Sequence, residues 1–280
     1  MASTVKGLVA ADSPDQAEPA DTSVTKRRGA RLRGLVVPLM IIAILEIVVR
    51  TGLIASHLMP APSELLATFE HLAQGALWKH VLASSTRVLL GFGIGATAAL
   101  LVGALVGLNK RAEDYLEPTF QALRAIPSLA WVPLLLMWLG IDETSKVVLI
   151  AIGAFFPVYM SLVAGIRNVD RKLVEVGEMY NLPSLERARR IFLPAAQPHL
   201  FTGLRNGLSM SWLCVVAAEL LAATQGIGYL LTDGREVSRP DLVLVAIITL
   251  AVMGKVSDTA LKYVEQRTLH WRDAFAGDNA

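Results

Sequence analysis

The segment Val88–Leu108, VLLGFGIGATAALLVGALVGL, contains 21 consecutive residues without a charged side chain. A helix rises about 1.5 Å per residue, so about 20 apolar residues cross the roughly 30 Å hydrocarbon core of a bilayer. Because backbone polar groups cannot remain unpaired in lipid, a membrane segment of this length must be helical. This segment predicts an integral membrane protein.

The rest of the chain repeats this pattern. It has 280 residues, of which 54% are hydrophobic, and a mean hydropathy of +0.51. We predict an all-α, polytopic bundle of about six transmembrane helices, at residues 34–54, 84–108, 118–140, 146–166, 201–223 and 241–263. The third span contains Arg124, Pro127 and Pro133. We expect it to be kinked, because proline interrupts helical hydrogen bonding.

Basic residues predict the orientation of these spans. They flank alternate span ends at Lys26, Arg27, Arg28, Arg31, Arg33, Lys110, Arg111, Arg167, Arg171, Lys172, Arg187, Arg189, Arg190, Arg267 and Arg272. By the positive-inside rule, both termini and the 167–200 loop are cytoplasmic. We therefore predict a disordered cytoplasmic tail at 1–33, a membrane domain at 34–266 and a cytoplasmic tail at 267–280.

Charge and motifs exclude several classes of function. The net charge is only +2, so no nucleic-acid partner is expected. Cys214 is the single cysteine, which excludes an internal disulfide. The chain lacks a Gly-x-x-x-x-Gly-Lys-Ser/Thr segment and the usual hydrolase motifs, so we expect no bound ATP, no metal or other cofactor and no catalytic residue.

Glycines in the second span suggest a packing surface. Small residues recur every fourth position, at Gly91, Gly95, Ala99, Gly103 and Gly107. Such a helix face allows another helix to approach closely. The match of 91–96 to a dinucleotide-binding fingerprint is misleading, since that pattern must follow a strand at a water-accessible turn.

Two segments outside the spans are expected to form short amphipathic helices. Residues 57–80 predict a helix on the outer face, capped by Ser63, with an irregular loop as the alternative. The 167–200 loop predicts two helices separated by a turn at Asn181–Ser184, with Ser184 capping the second helix. Such a loop suits the docking of a soluble partner, and a solvated loop without a partner is the alternative.

The 167–200 loop resembles the EAA loop, the ATPase-docking element of permease subunits in bacterial ABC importers. The resemblance rests on the spacing of Glu175, a turn residue at Asn181 and the pair Leu193-Pro194. The sequence departs from the usual Glu-Ala-Ala at 175–177, where it has Glu-Val-Gly, and from the usual turn glycine at Asn181. Asparagine is the common substitute for glycine where φ is positive.

Other segments are similar to the aliphatic sulfonate, taurine and nitrate branch of these permeases, and most of all to the aliphatic sulfonate permeases. They are PAP (60–62), RAIPSLAWVPL (124–134), LGIDETSK (139–146), FPVY (156–159), GIRNVDR (165–171) and AAELLAATQGIGYL (217–230). The resemblance covers about residues 35–272.

This resemblance implies a five-part importer in the bacterial inner membrane. Two permease copies would form the pathway, two cytoplasmic ATPases would bind ATP and Mg²⁺, and a periplasmic binding protein would deliver the substrate. The residues implied in ATPase coupling are Glu175, Gly177, Tyr180, Asn181, Leu182, Ser184, Arg187 and Pro194. An ATP-independent secondary transporter, or the same system for taurine, nitrate or bicarbonate, remains the alternative.

Charged and polar residues inside the spans are candidates for the pathway or for buried pairs. They are Arg87, Arg124, Ser209, Ser211, Trp212 and Glu219, with Arg205 in the inner half and Glu46 near mid-membrane. Residue counting places Arg87 and Glu219 at a similar depth, so we predict that they pair. One alternative places Arg87 or Arg124 on the path of an anion, and another has Arg124 and Arg205 reach the headgroup region from the inner half of the membrane.

Overall fold

The computed structural model describes residues 23–54 and 59–269, and the side chains from Val36 onward except that of Pro38. All regular structure in these two ranges is helical. The helices are α1 Ser23–Arg50, α2 Pro62–Ala73, α3 Ala76–Leu108, α4 Lys110–Arg124, α5 Val132–Leu139, α6 Glu143–Arg167, α7 Arg171–Met179, α8 Ser184–Arg187, α9 Leu193–Ala222, α10 Ile227–Glu236 and α11 Pro240–Thr268. A 3₁₀ turn at Ser128–Trp131 precedes α5, and a π-helical turn at Ala188–Phe192 precedes α9.

Helix α6 lies at the centre of the bundle, parallel to α3 and antiparallel to α9. The glycines of α3 face it, as the small-residue stripe predicted. A Cβ atom on Gly91 would lie 2.6 Å from Ile150, and one on Gly107 would lie 2.7 Å from Ile166. Side chains at these positions would separate the two helices, so the glycines allow their close packing.

The apolar helices correspond to the predicted spans. In the described ranges, α3, α6 and α11 are each long and apolar enough to cross a membrane, and the count rises to five if each of two bent helix pairs forms one span. Helix α1, which contains most of the predicted first span, is not in this count, because the side chains of its first half lie outside the described part. The other five predicted spans correspond to α3, α4 with α5, α6, α9 with α10, and α11.

The predicted third span, 118–140, is broken rather than kinked. Helix α4 ends at Arg124, and the chain turns by 84° before continuing into the 3₁₀ turn and α5. Pro127 cannot donate a backbone hydrogen bond and restricts the residue before it, which explains the break. Pro133 lies in the first turn of α5, where proline is tolerated, so it does not add a second kink.

The N-terminal boundary also differs from the prediction. Residues 1–22 lie outside the described part, but α1 begins at Ser23, inside the stretch predicted to be disordered. The segment 26–33 consists mainly of lysine, arginine, alanine and leucine, which have favourable helix propensities, so the helix extends before its apolar part. At the other end, α11 continues to Thr268, two residues into the predicted 267–280 tail, and residues 270–280 lie outside the described part.

A short helix connects α1 to the bundle. The predicted 57–80 helix is divided into α2 and the first turns of α3, and its first two residues, 57 and 58, lie outside the described part. Ser63 is not the cap of α2, because Ala61 occupies that position. Ser63 instead donates from its backbone and its hydroxyl to Glu46, at 3.0 and 2.8 Å. Glu46 thus lies one turn before the end of α1, paired with Arg50, and not in the middle of a span.

Candidate functional site

Helices α7 and α8 lie in the segment that connects α6 to α9, at what we term the loop end of the bundle. Helix α7 closes in a Schellman motif, in which Leu182 N–H donates to the Gly177 carbonyl at 3.1 Å and Asn181 N–H donates to the Glu178 carbonyl at 2.9 Å. Asn181 has φ of +50°, which confirms the predicted left-handed turn. This geometry fixes the direction in which the chain leaves α7.

We expect Asn181→Gly to preserve function and Asn181→Val to impair it. Glycine adopts φ of +50° without a steric penalty, whereas a β-branched side chain is strained there by about 1–3 kcal/mol. Hydrogen exchange of the 171–192 backbone should be unchanged in the glycine variant and faster in the valine variant. Equal exchange in both variants would contradict a requirement for this turn.

Gly177 and Arg187 hold the two helices of the loop together. Gly177 is buried, and a Cβ atom there would lie 2.5 Å from Ile191 in the π-helical turn. Arg187 Nη1 lies 2.9 Å from Glu178 Oε1, which joins α8 to the last turn of α7. The close contact accounts for glycine at position 177, and the ion pair sets the angle between the helices.

The loop exposes an apolar surface at its tip. Met179, Tyr180 and Leu185 are 81%, 76% and 71% exposed, whereas Leu182 between them is half-buried. We call Met179, Tyr180 and Leu185 the loop patch. Three large apolar side chains on a braced turn form a small apolar surface suited to a protein partner.

The other predicted coupling residues, Ser184, Glu175 and Pro194, lie outside the loop patch. Ser184 is the first residue of α8 and makes no capping hydrogen bond, so the predicted cap is wrong, because Pro183 takes the capping position. Glu175 is exposed and pairs with Arg171 of the same helix, one turn earlier, at 3.1 Å. Pro194 is the second residue of α9 and follows directly on the π-helical turn.

A cluster of charged side chains lies at the opposite end of the bundle, which we term the far end. Arg87 of α3 is almost fully buried, and its Nη1 atom lies 2.6 Å from Glu219 Oε1 of α9, as the equal depths predicted. Its Nε and Nη2 atoms bind Glu143 of α6 at 2.5 and 2.7 Å, and Nη1 also donates to the Gln225 carbonyl. The guanidinium therefore joins three elements of the bundle.

Glu219 is fully buried, and its carboxylate accepts hydrogen bonds from a guanidinium, a hydroxyl and a backbone N–H. Besides Arg87, the hydroxyl of Ser84 donates to both of its carboxylate oxygens, at 2.8 and 2.9 Å. The Gly228 N–H donates to Oε2 at 2.8 Å. A Cβ atom on Gly226, whose φ is +136°, would collide with the carboxylate, so this turn requires glycine. The cluster fixes the bend between α9 and α10.

Comparison with known proteins identifies the chain. Residues 91–270 match the family model described as the binding-protein-dependent transport system inner membrane component. The chain belongs to this family. It is thus an inner-membrane permease subunit of an ABC transporter, and its family implies ATPase and substrate-binding partners in the transporter complex. Its relatives are transport permease subunits, which suggests a non-enzymatic membrane component.

Three relatives illustrate the similarity of the permease. It is 40% identical to the SsuC aliphatic sulfonates transport permease protein of Bacillus subtilis, over 90% of this chain and 92% of that protein. It is 38% identical to SsuC of Escherichia coli, over 85% and 91% of the two chains. Identity to the taurine permease protein TauC of Escherichia coli is 33%, over 78% and 82%.

A solved structure supports the fold of the permease. The protein described as an amino acid ABC transporter with histidines superposes with a TM-score of 0.60, at 18% identity. The match covers 72% of the permease and 98% of that chain. At this identity the similarity concerns the fold.

The candidate pathway residues of the permease fall into different environments. Arg124 is exposed at the end of α4, with Nη1 3.4 Å from Met160 Sδ. Ser209 is exposed on α9, and its hydroxyl donates to the backbone of Arg205. Trp212 does not line an open path: it is buried, and its Nε1 donates to the Ser257 hydroxyl of α11 at 2.9 Å.

Two further candidates, Ser211 and Arg205, are engaged by hydrogen bonds within the permease. Ser211 is fully buried and bonds to the Gly207 carbonyl one turn earlier. Arg205 binds Asp258 of α11 through two hydrogen bonds, at 2.8 and 3.1 Å, so its main role is to join two helices.

Two members of the far-end cluster were not anticipated, Glu143 and Ser84. Glu143 also binds Lys146 at 2.9 Å. Its side chain is 60% exposed, so the cluster reaches the protein surface at Glu143. The signal for Glu143 is its place at the start of α6, since α3 and α6 are parallel and both begin near the far end. Ser84 lies one turn before Arg87. Nothing in the sequence points to its contact with Glu219, because a serine in an apolar helix usually bonds to its own backbone.

Proposed function

We propose that two copies of this permease form the membrane pathway of a bacterial importer for small organic anions, with aliphatic sulfonates as the substrate. The identities of 40% and 38% to aliphatic sulfonates permease proteins, over most of both chains, support this substrate class. Taurine and nitrate permeases are also related, at 33% and 36% identity, and both substrates are small molecules with an anionic group.

The loop patch carries the proposal for coupling. We infer that Met179, Tyr180 and Leu185 insert into a cytoplasmic ATPase, which itself binds ATP and Mg²⁺. The support is a rigid turn that exposes three large apolar side chains, at the position where the sequence resembles the EAA loop. Glu175 would anchor the base of this contact, and Gly177, Asn181, Leu182, Ser184, Arg187 and Pro194 would maintain its shape.

This function requires a defined orientation. The loop end, with both termini, faces the cytoplasm, and the far end faces a periplasmic binding protein. The excess of arginine and lysine at the loop end supports this assignment, because basic residues are retained on the cytoplasmic side. Closure of the ATPases on two loops would then change which side of the membrane the pathway faces.

Substrate competition tests the proposed substrate. We expect cells that express the permease with its cognate ATPase and binding protein, in a strain without other sulfonate permeases, to accumulate labelled ethanesulfonate. Unlabelled butanesulfonate should compete more strongly than taurine, and nitrate should compete least. Accumulation of labelled nitrate, with no ethanesulfonate accumulation, would assign the system to nitrate instead.

A further inference from the structure

A groove of about 450 Å³ lies between the break after α4 and the faces of α6 and α9. Its lining includes Arg124, Ser128, Leu129, Gly153, Met160 and Leu213. Except for Arg124 and Ser128, these residues are apolar. The groove exists because α4 ends at Arg124 and the chain turns away before Pro127, which leaves the side of α6 uncovered.

The groove lies at the level of the membrane interior. Met160 is seven residues before the end of α6 at Arg167, and Gly153 is ten residues after its start at Glu143. At about 1.5 Å per residue, these positions are roughly 10 Å from the loop end and 15 Å from the far end of a membrane-spanning helix. Arg124, which contacts Met160, therefore places its guanidinium inside the membrane span.

Arg124 differs from Arg205 on α9 and from Arg167 at the loop end of α6. Arg205 binds Asp258 at 2.8 Å and Arg167 binds Glu113 at 3.0 Å, whereas no carboxylate among the described residues lies within salt-bridge distance of Arg124. Glu117, seven residues before Arg124 on α4, accepts from the Tyr159 hydroxyl at 2.7 Å and lies 3.7 Å from Arg167.

Hydrocarbon is an unfavourable environment for the Arg124 guanidinium. A thioether sulfur is only a weak acceptor, so the 3.4 Å contact to Met160 does not satisfy the guanidinium. An exposed arginine facing lipid tails at this depth is costly, and such residues usually face water-filled paths. The groove is therefore expected to be hydrated.

We propose that this groove is one wall of the anion pathway, and that Arg124 is the residue that selects for negative charge. This inference rests on the proposed transport of an organic anion. A single cation beside an apolar surface matches an aliphatic sulfonate, whose anionic head meets Arg124 while its alkyl tail contacts Leu129 and Leu213. One cation without a paired carboxylate attracts the anion weakly enough to release it.

Cysteine labelling tests whether the groove is hydrated and cationic. The only native cysteine, Cys214, is fully buried and can be replaced by alanine to give an unreactive background. In that background, Ser128→Cys and Leu213→Cys should react with the anionic reagent 2-sulfonatoethyl methanethiosulfonate in the complete transporter during ATP turnover. Leu89→Cys and Leu101→Cys are matched controls, since both leucines are strongly exposed on α3. They should not react, because they face lipid.

The charge of Arg124 should control the labelling rate. Adding Arg124→Gln should slow reaction at both groove cysteines by at least about tenfold, since removal of a focused charge lowers the local concentration of an anion. Arg124→Lys should retain most of the rate, and a cationic methanethiosulfonate reagent should not be slowed by Arg124→Gln. A structural role for Arg124 would change protein yield or all labelling rates together.

Uptake separates this inference from the proposed function. We expect Arg124→Gln to reduce ethanesulfonate uptake at limiting substrate by at least about tenfold, at an unchanged level of permease in the membrane. Unreactive groove cysteines, or labelling and uptake that are insensitive to Arg124→Gln, would overturn the inference. If the unmodified permease transports no sulfonate, the proposed function fails, and the labelling still decides whether the groove is a cationic, hydrated path.

Discussion

Arg87→Leu will lower the free energy of unfolding of the permease by about 3–5 kcal/mol, because it leaves the fully buried Glu219 without its cation. Glu219→Leu should cost less, about 1–3 kcal/mol, because Arg87 keeps Glu143 while the Ser84 hydroxyl and the Gly228 N–H lose their acceptor. Thermal unfolding of the purified protein in detergent, followed by its melting temperature and its yield, measures both effects.

The double variant Arg87→Leu with Glu219→Leu should recover part of this loss. It leaves no orphan charge between α3 and α9, since Glu143 keeps Lys146 and is largely exposed. Recovery will be partial, because Ser84 and Gly228 lose their acceptor. Arg190→Leu is the control: its ion pair with Glu186 is exposed, so its effect should stay below about 1 kcal/mol. Additive losses in the double-mutant cycle would mean that Arg87 and Glu219 are not coupled.

The sequence predicts the apolar helices of the fold better than their interruptions. Long uncharged segments locate α3 and α6, and the four-residue glycine spacing identifies the face of α3 that packs on α6. The break after α4 was underestimated, because hydropathy does not distinguish a kinked span from two helices at a right angle. Pro127 indicates that the helix is interrupted. How far the chain turns there depends on whether α6 offers a surface on which α5 can pack.

Residue depth explains which site residues the sequence predicts correctly. Arg87 and Glu219 pair as expected, since residue counting along two helices gives their heights directly. Trp212 was misassigned, because counting does not give the rotation of a helix, and this side chain faces Ser257 instead of an open path. Asn181 was predicted from its local backbone preference, which requires no tertiary information.

Charged substitutions in the loop patch should abolish coupling. We expect Leu185→Arg to weaken ATPase binding by at least about 2 kcal/mol, roughly 30-fold, because an exposed apolar anchor at a protein interface contributes that much. Leu53→Arg is the matched control, since Leu53 is similarly exposed but follows α1 at the far end. Co-purification of the ATPase with each variant measures the effect.

Charge reversals in the same loop probe its shape. Arg187→Glu would face Glu178 and separate α7 from α8, so it should also reduce ATPase co-purification. Glu175→Lys should do so if Glu175 anchors the base of the docking surface. Both variants should still insert into the membrane, because neither residue lies in a span. Normal co-purification and uptake in both would remove the docking role from this loop.

The most direct measurement of coupling through the loop is uptake of labelled ethanesulfonate into vesicles reconstituted with the permease, its ATPase and its binding protein. The account predicts uptake that requires ATP and both partners, is retained by Leu53→Arg and is lost in Leu185→Arg. Uptake driven by an ion gradient without the ATPase, or full ATP-dependent uptake by Leu185→Arg, would contradict it.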